Sequence, residues 1–159
     1  MEDRSKEARA LFLQGYNCAQ AVFGAYAEQL GLPQELAFRI AASFGAGVGR
    51  MREVCGACSG MFLVAGLLTG ATEGKDQAGK KRNYETVQAL AARFRERHGS
   101  IICREMLAGV PGFVPDGAGS APEPEARTAE YYKKRPCPDL IEDAARLVAE
   151  YFSLSENSL

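Results

Sequence analysis

The stretch VCGACSGMFLVAGLLTGAT, Val54 to Thr72, decides how the chain folds. It carries no charge over 19 residues and is bounded by Glu53 and Glu73. That length reaches the roughly 18–20 residues needed to cross a bilayer. Four glycines (Gly56, Gly60, Gly66, Gly70) interrupt it, however, together with Ser59, Thr69 and two cysteines, and its continuous apolar part runs only from Met61 to Leu68. An apolar run that short reads as a buried core helix beginning at Cys55 or Gly56, with no membrane span.

Outward from this core, the periodic segments read as helix on both sides. Residues 3–14 put Ala8, Leu11 and Phe12 on one face before Gly15 breaks the pattern. Asn17 is a good N-cap for a second helix over 18–30, with Ala19, Val22, Phe23, Tyr26 and Leu30 at helical spacing. Gly31 ends it, and Pro33 suits the first turn of a third helix over 34–44, with Leu36, Ile40 and Phe44 facing inward. A glycine-rich turn, Gly45 to Arg50, leads into the core helix. Beyond the core, a long polar helix over 77–97 aligns Tyr84, Val87, Ala91 and Phe94, and a short one follows at 101–107. The last, 138–152, turns Leu140, Ile141, Ala144, Leu147, Val148 and Tyr151 inward and has Asp139, Glu142 and Asp143 near its start, where the helix dipole favours acids. Residues 109–126 hold four of the seven prolines with four glycines and read as a loop or linker. No strand-like alternation and no internal repeat is present. The expected fold is a single all-α domain over residues 1–159, a bundle of about six or seven helices.

The 159 residues are 47% hydrophobic, enough for a packed core, and 19 Lys+Arg against 20 Asp+Glu give a net charge of −1. That balance excludes a nucleic-acid binder relying on phosphate neutralisation. Five cysteines (Cys18, Cys55, Cys58, Cys103, Cys137) stand against one histidine, His98. Disulfide-held secreted scaffolds are shorter and exceed ~8% Cys. The opening MEDRSKEARALFLQ is charged at once and lacks the form of an export signal, so a cytoplasmic, reducing compartment is expected. In that setting cysteines act as metal ligands or redox thiols, and with a single histidine any metal site must be built mainly from sulfur.

The cysteines fall at predicted helix starts. Cys18 follows the cap Asn17, Cys55 opens the core helix, Cys137 precedes Pro138, and Cys103 lies near the start of the short helix. Backbone N–H groups and the dipole stabilise a thiolate at such positions. The alternative is that cysteines fill tight Ala/Gly-rich cores as small hydrophobes. Cys55-Gly56-Ala57-Cys58 is a C-x-x-C, but no strand precedes it as in a thioredoxin-like motif, Ser59 replaces the histidine of a haem site, and no second pair completes a zinc knuckle. Gly45, Gly47 and Gly49 lack the dinucleotide-binding spacing and read as a tight turn, with amides able to approach sulfur or an anion. The pairs Gly56/Gly60 and Gly66/Gly70 form small-residue faces for close helix packing. Lys80-Lys81-Arg82 and Lys133-Lys134-Arg135 read as solvated surface, and His98 before Gly99 as part of a helix C-terminus.

Taken in order, Asn17-Cys18-Ala19-Gln20-Ala21-Val22, Gly49-Arg50-Met51, Val54-Cys55-Gly56-Ala57 with Gly60, Cys103-Arg104-Glu105 and Arg135-Pro136-Cys137 resemble the C_GCAxxG_C_C family of redox-active proteins over residues 15–148. The resemblance implies a joint role for Cys18, Cys55, Cys103 and Cys137, with Gly56, Ala57 and Gly60 as the small-residue core beside a cofactor. Cys58 stands at a variable position of the motif. The family also looks related to split-Soret-type cytochromes, which adds an iron–sulfur site to the expectation, while their haem portion has no counterpart here.

Three functional expectations follow. In the first, the four cysteines bind a [2Fe–2S] cluster in a redox or electron-transfer protein. In the second, two of them cycle between thiol and disulfide in a cluster-free oxidoreductase or sensor. In the third, they hold a structural zinc ion in a helical interaction module. The expected partner is a redox protein or a small thiol, with no nucleic acid, and the small-residue faces leave room for a homodimer.

Overall fold

The computed structural model describes residues 1–114 and 121–156, and among these it contains helices and no strand. Eight right-handed helices follow one another: α1 Ser5–Leu13, α2 Cys18–Ala25, α3 Gln34–Ala41, α4 Gly56–Thr69, α5 Gln77–His98, α6 Cys103–Leu107, α7 Ala129–Lys134 and α8 Cys137–Glu156. A 3-10 turn, Ala42–Phe44, extends α3. The fold is all-α, as expected. No helix among the described residues is long and apolar enough to cross a membrane.

The uncharged stretch forms the central helix α4, which packs against α2, α5 and α8, while α1 packs against α2 and α8. Its N-terminal half is buried almost residue for residue, Gly56 to Met61, because small side chains let α2 come close. A Cβ on Gly60 would stand 2.8 Å from Val22 Cβ and 2.9 Å from the Ala19 carbonyl. The expected Gly66/Gly70 face has no such role: a Cβ on Gly66 meets nothing within 4 Å, and Gly70 adjoins only its own helix. At the far end of α2, the Tyr26 hydroxyl donates to the Ala145 carbonyl at 2.7 Å and ties α2 to α8.

Several expected details are corrected. The second helix ends at Ala25, and the chain continues to Gly31 as tight turns with N–H bonds to the third residue back, such as Ala27 to Gly24 at 3.2 Å. On α3 it is Ala37 and Ala41 that face inward, while Leu36 and Ile40 are exposed. Phe38 closes over Gly24 on α2, so small residues line the contact and the larger ones turn outward. Tyr84 is likewise exposed. Asn83 Nδ2 donates to Thr69 Oγ1 at 2.9 Å, and the core face of α5 carries Thr86 and Leu90 beside the expected Ala91 and Phe94. The reading of 109–126 as a loop or linker is followed by an unexpected short helix, α7, and residues 115–120 lie outside the described part. His98 ends α5, as expected, and meets Asp143 of α8 through Nε2 at 2.7 Å.

Candidate functional site

Asn17 and Gln20 set the first cysteine. The Asn17 side chain accepts from the Gln20 N–H at 2.9 Å, and the Gln20 side chain accepts from the Asn17 N–H at 3.0 Å, a reciprocal cap that leaves Cys18 as the first residue of α2. Asn17 Nδ2 also donates to the Ala42 carbonyl at 2.9 Å, tying this helix start to the end of α3. Cys55 is the N-cap of α4, and Cys103 and Cys137 are the first residues of α6 and α8. All four motif cysteines thus stand at helix starts.

Two of these starts are joined by backbone pairing. Val54 and Ile102 form an isolated antiparallel bridge, with the Cys55 N–H bonded to the Ile101 carbonyl at 2.7 Å and the Cys103 N–H to the Glu53 carbonyl at 2.6 Å. The chain before Cys55, expected to have no extended partner, therefore has one pair. Leading into it, residues 46–50 run with positive φ, a left-handed turn that includes Ala46 (54°), Val48 (65°) and Arg50 (67°) besides Gly47 and Gly49. Left-handed backbone is costly for L-residues, most of all for β-branched ones, and tends to gather at functional sites. Gly47 is the tightest point: a Cβ there would lie 2.7 Å from Cys103 Cβ and 2.6 Å from Arg52 Cα.

These elements bring Cys18, Cys55, Cys103 and Cys137 to the wall of one cavity of about 50 Å³. Gly56 lines it too, and a Cβ there would sit 2.8 Å from Cys18 Cβ. Ala57 and Gly60 do not line it; both are buried in α4, Gly60 against Val22 and Ala19 of α2. Cys58 is fully buried, one turn behind Cys55 and off the cavity wall. Among the described residues, no three His, Cys, Asp or Glu side chains are arranged to hold a single metal ion. The four thiols border one space.

Three arginines and a tyrosine also line the cavity: Arg52, Arg127, Arg135 and Tyr131. Arg52 is 4% exposed and reaches Cys103 Sγ with Nη1 at 3.9 Å. Arg127 donates to the Phe12 and Tyr16 carbonyls at 3.2 and 3.3 Å. Arg135 lies 4.5 Å over the Tyr131 ring and pairs with Glu125. The expectation that Lys133-Lys134-Arg135 is solvated surface therefore holds for the two exposed lysines and fails for Arg135, whose side chain is only 8% exposed.

The surroundings separate the thiols into different acidities. A hydrogen bond from Cys18 chiefly lowers the Cys137 thiol to about 7, assisted by the charges of Arg135, Arg52 and Arg127 and opposed by burial. The same bond, with burial and the neighbouring thiols, pushes Cys18 well up. Cys55 is lowered, first by a hydrogen bond from Cys58 and then, against burial, by the amides of Cys58 and Ala57 at the start of α4. Burial raises Cys58 well above the ordinary range. Burial also raises Cys103 to about 11, with Arg52 opposing it.

Helix starts that gather four cysteines around one arginine-bordered cavity define a helical, thiol-centred protein. The chain belongs to the C_GCAxxG_C_C family, whose model, described as "Putative redox-active protein (C_GCAxxG_C_C)", matches residues 16–151. No curated protein and no solved structure matches it. Sequence reasoning missed Arg52, Arg127, Arg135 and Tyr131 as wall residues. Arg135 stands in the Arg135-Pro136-Cys137 motif and Arg52 lies three residues before Cys55, whereas nothing local marks Arg127 or Tyr131.

Proposed function

We propose that the protein is a redox or electron-transfer protein in which Cys18, Cys55, Cys103 and Cys137 jointly hold an iron–sulfur cluster, in its simplest form [2Fe–2S]. The observation that carries this reading is the single cavity bordered by four cysteines from four separate helix starts. A [2Fe–2S] core takes four thiolates and supplies a one-electron couple. Four thiols around one space are the donor set that such a group takes. Arg52, Arg127 and Arg135 would offset the negative charge of four thiolates, and the amides of Ala57 and Cys58 already point at Cys55 sulfur.

Anaerobic reconstitution with iron and sulfide tests the reading. Visible absorbance with equimolar iron and sulfide is expected, lost on Ser replacement of any of the four cysteines. Absence of bound iron in every preparation refutes it.

A second reading is cluster-free dithiol chemistry, favoured by the pairing of Cys18 with Cys137 and of Cys55 with Cys58, each close enough to shift its neighbour's acidity. Each pair holds one thiol of lowered and one of raised acidity constant, the asymmetry of an attacking and a resolving thiol. Titration in a defined redox buffer separates the two readings: a reversible two-electron couple in metal-free protein supports this one.

A further inference from the structure

Two larger cavities adjoin the thiol cavity and share Arg52, Tyr131 and Arg135 with it. Their volumes are about 560 and 220 Å³, and the larger falls within the roughly 300–1,000 Å³ range of small-molecule sites. The larger cavity is lined by apolar Val110, Phe113 and Val114 and by the cationic side chains of Arg50, Arg52, Lys134 and Arg135, with the Arg52 guanidinium 5.7 Å over the Phe113 ring. Together the two cavities are lined by five cationic side chains and two carboxylates; Glu130 pairs with Lys134 at 2.7 Å and Glu125 with Arg135, so Arg50, Arg52 and Arg127 give the cleft an excess of positive charge on a chain whose net charge is −1. A cleft with an excess of one sign of charge concentrates ligands of the other.

The thiols account for part of this charge only. Arg52, Arg127 and Arg135 border the thiol cavity, whereas Arg50 does not, although it lines both outer cavities. Its Nε donates to the Ala121 carbonyl at 2.7 Å, which holds the guanidinium at the cleft. Arg50 and Arg52 both stand at positive φ, 67° and 60°, where glycine costs less. Strained backbone thus carries two cations to one cleft.

We propose that this cleft binds a small amphipathic oxyanion, its carboxylate or phosphate held by Arg50 with Arg52 and Arg135 and its apolar body laid against Phe113 and Val114. Guanidinium forks suit both head groups. The site goes beyond the iron–sulfur reading and does not depend on it, since binding can be read in metal-free protein.

The test is a titration of the reduced, metal-free full chain, followed by backbone NMR, with AMP, adenosine, inorganic phosphate and benzoate as separate probes. Saturable shifts at residues 50–52, 110–114 and 134–135 are expected with AMP or benzoate, the tighter of the two naming the head group. Phosphate should shift the same residues more weakly, and adenosine should bind about tenfold or more weaker than AMP. Arg50→Gly should lose about tenfold or more in affinity while its thermal midpoint holds or rises, because glycine relieves the backbone. Arg50→Gln should lose as much, and Arg50→Lys should keep a saturable site. No saturable shift with any anion, equal binding of AMP and adenosine, or undiminished affinity in Arg50→Gly overturns the proposal. Failure to bind iron would refute the cluster reading and leave this one standing.

Discussion

In reduced, metal-free protein the Cys137 thiol should titrate near pH 7, about two units below its ordinary value of 9.0. That lowering corresponds to about 3 kcal/mol between the protonation states. Thiolate at neutral pH then rises from about 1% to about half, while the lower basicity reduces intrinsic nucleophilicity by about six- to tenfold, so the net gain in reactivity is only about five- to eightfold. The midpoint is therefore the better readout. Iodoacetamide labelling of Cys137, followed by mass spectrometry across pH, should give a midpoint near 7. Cys18→Ala removes the largest cause, the hydrogen bond from Cys18, and should raise that midpoint by about one unit or more, the worth of a hydrogen bond to a charged group. Arg135→Gln should raise it less. Stability follows with a definite sign. The native state releases the Cys137 proton before the unfolded chain does, so the contribution is full above about pH 9 and lost as pH falls through about 7. Cys18, Cys58 and Cys103 are raised, so their contributions are full below about pH 9 and fade above it. Stability of the reduced protein should therefore peak near pH 9. A Cys137 midpoint near 9, or one that Cys18→Ala does not move, would refute this account of the cavity.

Three other outcomes are expected. Gly47→Ala sets a methyl 2.6 Å from Arg52 Cα and 2.7 Å from Cys103 Cβ at a φ of +72°, and should cost about 2–4 kcal/mol in urea denaturation together with loss of reconstituted iron. Unchanged stability would show that the left-handed turn yields freely. Asn17→Ala removes the reciprocal cap and the bond to the Ala42 carbonyl, and should cost about 1–2 kcal/mol by the same measurement. Cys58→Ala should keep its iron on reconstitution, in contrast to Cys55→Ala, because Cys58 stands behind the cavity wall; equal loss in both variants would make Cys58 a ligand.

Much of the site was legible because capping is local. Asn17 before Cys18 and the glycine start of α4 mark helix ends within a few residues, and all four motif cysteines do lie at those ends. Facing was less legible. Leu36, Ile40 and Tyr84 have the spacing of core residues and stand exposed, where Phe38 closes over Gly24 and Asn83 bonds Thr69. Gly45, Gly47 and Gly49 announced a turn without announcing its hand, since the positive φ values extend to Val48, Arg50 and Arg52.

The sequence by itself determined the helical class, the central position of the uncharged stretch and the cysteines at helix starts, because periodicity, caps and breakers act over three or four residues. Only the tertiary structure decided which starts meet. The Val54–Ile102 bridge sets Cys55 beside Cys103, and the packing of α1, α2 and α8 brings Cys18 and Cys137 to the same cavity. It also separated Arg135 from its exposed lysine neighbours and buried Arg52 against Cys103. Burial and charge at a thiol arise from residues far apart along the chain, and local pattern carries no record of them.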